Sequence, residues 1–152
     1  MITPATVFDS DRSQQMRNFI IEARPNECYT NSVVALVDLE DCAGAYYVEG
    51  WYINLRGEYA IEHGWLELEG AVIDVTITDG EAQDYYAVSR YAPDAIWQYV
   101  NEEVTWPLWA HVEGAKEAML AAFAQLPIDI DSCHDWARAG ERVTGIKSLI
   151  LE

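Results

Sequence analysis

The stretch EYAIEHGWLELEGAVIDVTI, residues 58–77, decides the fold of this chain. It is rich in aliphatic and β-branched residues, and Glu69-Gly70 interrupts it as a two-residue connection, so it predicts a β-hairpin. The register follows. Leu68 lies opposite Ala71, Leu66 opposite Ile73, and Trp65 opposite Asp74. Side chains alternate along a strand, so His63, Trp65 and Asp74 share one face, with His63 and Asp74 as diagonal neighbours. Packing accounts for the apolar residues. It does not account for an imidazole and a carboxylate placed together. A carboxylate beside one ring nitrogen orients the imidazole and stabilises its charged form, leaving the other nitrogen for a second group.

Working outward, AYYVEGWYINL (45–55) reads as the preceding strand, with a turn at RGE and a bulge at Glu49-Gly50, where an isolated glycine interrupts the strand. After a turn at TDGEAQ, YYAVSRY (85–91) reads as a fourth strand. Upstream, Met16, Phe19, Ile20 and Ala23 fall on one face of a helix beginning near Ser13. Pro25 ends it. Asn26 then caps a second helix, with Cys28 in its first turn, a stripe of Tyr29, Val33, Leu36 and Val37, and a stop near Gly44. Downstream, Ala95–Asn101 looks helical. Residues 113–126 form a helix with Ala115, Met119, Ala122, Phe123 and Leu126 on one face, and a short helix falls around 131–139. The order predicts an α+β fold, with helices packed on one face of an antiparallel sheet of about four strands.

The 152 residues fit a single domain, 1–152, with a motif-bearing core at about 24–91 and a C-terminal helical part at about 92–152. With 51% hydrophobic residues the composition is that of a globular chain. A formal net charge of −17 and no basic stripe argue against direct binding to nucleic acid or anionic lipid. Two readings of that charge stay open: solubility, or an acidic surface that meets a basic partner or mimics nucleic acid. The cysteines Cys28, Cys42 and Cys133 have no framework or CxxC spacing, which predicts free thiols in a reducing cytoplasm and no zinc site. The first residues lack the basic start and apolar core of a signal peptide, and no run is long enough to span a membrane.

The candidate partner for the free imidazole nitrogen is Cys28. A thiol in the first turn of a helix feels the positive end of the macrodipole, which favours thiolate. Glu27 works against this. The chemistry would be attack on an acyl or amide carbon to give a thioester, with His63 as general base and acid and Asp74 as the orienting carboxylate. The Cys28 backbone N–H is one oxyanion donor. Asn26 and Asn31 are candidates for a second, although capping explains Asn26 equally.

ECYTNSVVAL, YYVEGWYI and IEHGWLELEGAVIDVT together resemble the Cys–His–Asp pattern of the transglutaminase-like, papain-related cysteine enzymes. In that group a cysteine opens a helix packed on an antiparallel sheet. The histidine lies on one strand in an H-x-W context, and the aspartate on the next in a DPT-like context. The matching positions are Cys28, His63 with Trp65, and Asp74 with Thr76; Val75 stands where the family has proline. The ordered motifs are also similar to those of small bacterial and phage proteins of the same kind. The resemblance spans residues 24–80. It implies a cysteine hydrolase or acyl/amide transferase with no metal or cofactor, acting on a protein or peptide amide, and it does not choose the reaction.

Each residue also has a plainer reading. Cys28 alone would be a buried cysteine, His63 a satisfied structural histidine, and Asp74 a turn carboxylate. Trp65 is either core or cleft wall. Tyr46, Tyr47, Trp51, Tyr52 and Tyr59 would be core on one side, their exposed half lining a groove, with Trp51 a candidate substrate contact. Cys42 reads as structural, Cys133-His134 as incidental, and His111 as a surface or packing residue. Trp97, Trp106 and Trp109 around Pro107 either pack the last helices or form an interface. The rival to the enzyme is an acidic, non-catalytic binder that uses the same fold as a scaffold.

Overall fold

The computed structural model describes residues 7–20, 23–24, 27–53, 60–77 and 84–127. These form an α+β unit of four helices and one antiparallel four-stranded sheet. In chain order they are α1 (Ser10–Phe19), α2 (Cys28–Asp38), a 3-10 turn (Glu40–Cys42), β1 (Tyr46–Ile53), β2 (Ala60–Leu68), β3 (Ala71–Ile73), β4 (Asp84–Tyr91), α3 (Pro93–Asn101), a second 3-10 turn (Leu108–Ala110) and α4 (Ala115–Phe123). The sheet order is β3-β2-β1-β4. The expected helix at 131–139, the turns at 56–58 and 78–83, and Pro25, Asn26, Tyr59, Cys133 and His134 lie outside the described residues.

The hairpin joins β2 to β3 in the register that alternation requires, Leu68 opposite Ala71 and Leu66 opposite Ile73. Glu69 (φ 53°) and Gly70 (φ 81°) are both left-handed, as a two-residue turn matched to strand twist demands. β3 is shorter than expected. It ends at Ile73, because the Asp74 carboxylate bonds the next backbone N–H groups and turns the chain away. Residues 7–9 run parallel beside it, through Asp9 N to Val72 O (3.0 Å) and Val72 N to Val7 O (2.9 Å).

β1 is central, and every residue after Tyr46 is buried. Both of its faces are therefore packed, which corrects the expectation of an exposed groove-lining half for Tyr47, Trp51 and Tyr52, while Tyr46 is 49% exposed. One face carries Tyr47 and Trp51 toward the helices. The other carries Val48 and Tyr52 into a cluster with Trp65, Val72 and Tyr85. The pairing of β1 with β4 shifts register between Glu49 and Gly50. A side chain at Gly50 would meet the Tyr86 carbonyl oxygen, which is why the bulge carries glycine.

The helix expectations need two adjustments. α1 begins earlier, at Ser10, because the Asp9 side chain accepts a hydrogen bond from Arg12 N (2.8 Å) and caps it. Met16 and Ile20 are buried, but Phe19 is 61% exposed and does not belong to the packed face. α2 begins at Cys28 with Glu27, not Asn26, at the cap position. In α4 the expected stripe of Ala115, Met119, Ala122 and Phe123 is buried against Trp51, whose indole N–H donates to Met119 O (2.9 Å). Trp109 packs into the same cluster and Trp106 against Tyr47, whereas Trp97 is exposed. No described helix is long and apolar enough to cross a membrane.

Candidate active site

β3 stops early, so the Ala60–Gly64 half of β2 has no β3 residue beside it. The first turn of α2 lies against this half. A Cβ built on Gly64 would sit 2.6 Å from Tyr29 Cδ1 and 3.2 Å from Tyr29 Cα, so only glycine lets the helix backbone approach. Ser32 Oγ donates to Gly64 O (3.0 Å) and fixes the rotation of the helix on the strand. The glycine of HGW thus brings the start of α2 beside His63.

There the Cys28 thiol comes close enough to the His63 ring for the two to interact. His63 Nε2 bonds Asp74 Oδ2 at 2.6 Å, which leaves Nδ1 outside the bond to the carboxylate. Cys28 is the first residue of α2, where the N–H has no intrahelical acceptor and the helix dipole favours negative charge. Glu27, which was expected to oppose thiolate, has its carboxylate 3.8 Å from Arg24 Nη1. His63 is 1% exposed and Cys28 8%. Burial disfavours the imidazolium. The charges of Asp74 and Cys28 and their hydrogen bonds outweigh it, raising the His63 pKa from 6.5 to about 10.

Asp74 is fully buried and saturated. Oδ1 accepts from Thr76 N (2.8 Å) and Ile77 N (2.9 Å), and Oδ2 accepts from His63 and from the Tyr85 hydroxyl (2.8 Å). Its own N–H donates to Ser13 Oγ (3.0 Å), which in turn donates to Asp9 O (2.6 Å). The carboxylate is held by β2, β4 and its own turn, and the Asp74 backbone by α1.

The expected substrate contacts lie elsewhere. Trp65 and Trp51 are buried in the core, at 0% and 1% exposure, and neither lines an open surface. Trp65 stacks near His63 with ring centroids 6.2 Å apart. Asn31 is buried with its whole amide engaged: Nδ2 donates to Arg24 O (2.8 Å) and Thr76 Oγ1 (2.9 Å), and Oδ1 accepts from Arg24 N (3.1 Å). An amide so occupied has no spare donor for an oxyanion. Its work is structural, tying the start of α2 to the turn after Asp74. Asn26 lies outside the described residues.

Several contributors escaped the sequence reading. Tyr85 reads as one of two adjacent tyrosines in a strand, and only the fold selects it. Glu49 is fully buried, accepting from Tyr47 Oη (2.7 Å), Leu108 N (2.6 Å) and Trp109 N (2.8 Å). It caps the 3-10 turn and clamps the C-terminal segment to β1. Glu62, adjacent to His63 on the opposite face, has one carboxylate oxygen buried without a partner among the described residues. Burial first, then the charge of Glu49, raises its pKa from 4.5 to about 7. Cys42 is buried with its thiol 3.1 Å from Met16 Sδ. Burial, then Asp41, raises its pKa to about 11, against a smaller lowering by Arg12. His111 is on the surface, bonded to Thr105 Oγ1 at 2.8 Å. Among the described residues no three His, Cys, Asp or Glu side chains group to hold a metal ion.

A thiol beside an imidazole that is bonded to a buried carboxylate is an arrangement suited to nucleophilic chemistry. Comparison with protein-family models, curated proteins and solved structures finds no match to this chain.

Proposed function

We propose that the protein is a cysteine-dependent acyl or amide hydrolase or transferase with a transglutaminase-like core, acting on a protein or peptide amide. The observation that carries this is the His63 ring bonded to the Asp74 carboxylate through Nε2, with the thiol of the residue that opens α2 close enough to the ring to interact with it. Cys28 as thiolate attacks the substrate carbonyl carbon, forming a C–S bond and moving the C=O pair onto oxygen. The Cys28 N–H stabilises that oxyanion. Collapse expels the amine, which takes the proton held on His63, and leaves a thioester. Water or a second amine then attacks the thioester, losing its proton to His63 and releasing the thiolate. Asp74 holds the ring oriented throughout. A net charge of −17 steers a basic segment toward this surface fastest.

The test is thiol reactivity at pH 6. Iodoacetamide labels Cys28 well ahead of Cys42 and Cys133, and His63→Ala removes the advantage. Equal labelling of the three thiols would falsify the reading. The same net charge favours a second role, an acidic binder that occupies a basic protein. Binding to a basic partner that weakens steeply between low and high salt, and persists in Cys28→Ala, supports that role instead.

A further inference from the structure

Asp74 Oδ2 serves two donors at once. His63 Nε2 lies 2.6 Å away and the Tyr85 hydroxyl 2.8 Å away. Tyr85 comes from β4, two strands removed from the hairpin that carries the other two groups. It is buried, and its ring packs against His63 (centroids 6.1 Å), Tyr52 (5.4 Å), Trp65 (5.2 Å) and Phe8 (5.8 Å, stacked). A tyrosine serving packing alone could direct its hydroxyl elsewhere. This one is aimed at the carboxylate oxygen that faces the imidazole.

We infer that Tyr85 is a positioning residue of the site: by sharing Asp74 Oδ2 with the ring, its hydroxyl disperses the carboxylate charge and moderates how tightly His63 holds its proton. A hydrogen bond to an anion lowers the anion's basicity, so the field that Asp74 exerts on the imidazolium is weaker with the hydroxyl than without it. The consequence for chemistry is direct. An imidazolium clamped by an undiluted buried carboxylate is a poor acid toward a departing amine, whereas one whose partner is shared gives the proton up more readily. Oδ1 stays anchored by Thr76 N and Ile77 N, so loss of the hydroxyl changes charge more than position. The titratable groups that meet the His63 ring are Asp74 after β3, Cys28 on α2, Tyr52 on β1 and Tyr85 on β4, and Glu62 neighbours it on the far side of β2. The catalytic consequence rests on the cysteine-enzyme reading. The effect on His63 does not.

The experiment is therefore run in Cys28→Ala, which removes the thiol from the titration. The His63 ring is followed against pH by NMR of histidine-labelled protein, its signal assigned by comparison with His63→Gln. With Tyr85→Phe added, the His63 midpoint moves upward by about 0.5 unit or more. A midpoint that stays put or falls overturns the inference, even if the variant is less stable. Should Tyr85→Phe not fold, site-specific 3-fluorotyrosine at position 85, a stronger donor of nearly the same shape, moves the midpoint down. No movement there overturns the inference as well. In parallel, the pH dependence of Cys28 alkylation in the protein with its thiol intact tests the enzyme reading. A shifted His63 midpoint with an unreactive Cys28 leaves Tyr85 in its role and removes the enzyme. A reactive Cys28 with an unshifted midpoint does the reverse.

Discussion

Asp74 carries the greatest consequence of any single side chain. Replacing it by alanine leaves the Tyr85 hydroxyl, Thr76 N, Ile77 N and the His63 ring without their acceptor in the interior. The expected cost is about 3–5 kcal/mol of stability, measured by urea denaturation. Asp74→Asn keeps most of the shape but not the charge. It folds, and its Cys28 alkylation rate at pH 6 falls by about a hundredfold or more, because the imidazolium loses its counter-charge. Glu62 behaves in the opposite sense. Its folded pKa, near 7, lies above that of the free acid, so the unfolded chain gives up this proton first as pH rises. Stability from this group is complete below pH 4.5 and lost as pH climbs through 7. Glu62→Gln accordingly raises Tm at pH 8 and leaves it unchanged at pH 4, which calorimetry at the two pH values checks.

Among the elements, the contact of α2 with β2 sets the distance between thiol and ring. Gly64→Ala places a methyl group against the backbone of Tyr29, so the first turn of α2 must move away. The expected outcome is a loss of about 1–3 kcal/mol together with a drop in Cys28 alkylation toward that of an ordinary thiol. A control such as Ala118→Gly on exposed α4 surface, costing about 1 kcal/mol, leaves alkylation alone. The hairpin turn offers the converse case. Glu69 sits at φ 53°, where a side chain of its kind is strained, and its ion pair with Arg12 is solvent-exposed. Glu69→Asn suits the turn better and is expected to raise stability by about 0.5–1 kcal/mol with alkylation unchanged.

The molecule as a whole has an excess of negative charge. Twenty-six acidic residues face 9 basic ones. Among the described residues the ion pairs of arginine with acid are at least partly exposed, those of Arg12, Arg24 and Arg90. The compact state repels itself, and added salt screens that repulsion. Raising NaCl from 0.02 to 0.5 M is expected to raise Tm by several degrees, read by differential scanning calorimetry. The sheet and helices are clamped together from inside by the Glu49 carboxylate, which joins β1 to the 3-10 turn at Leu108 and Trp109. No pattern in the neighbouring residues marks that glutamate as a buried cap; it becomes visible only once the C-terminal segment is seen lying on β1.

Period and turn chemistry were enough to read the hairpin and its register as far as Ile73, because these are local; Asp74, expected on the strand opposite Trp65, lies past the end of β3, and its own turn brings the carboxylate to His63. They also sufficed to place Cys28 at a helix start and to read the buried stripe of α4. The burial of Trp51, Trp65 and Asn31, the role of Tyr85, and the buried Glu49 were decided by the tertiary structure alone. Each depends on what a distant segment brings to the other side of the sheet, and strand periodicity says which face a residue takes but not what covers that face.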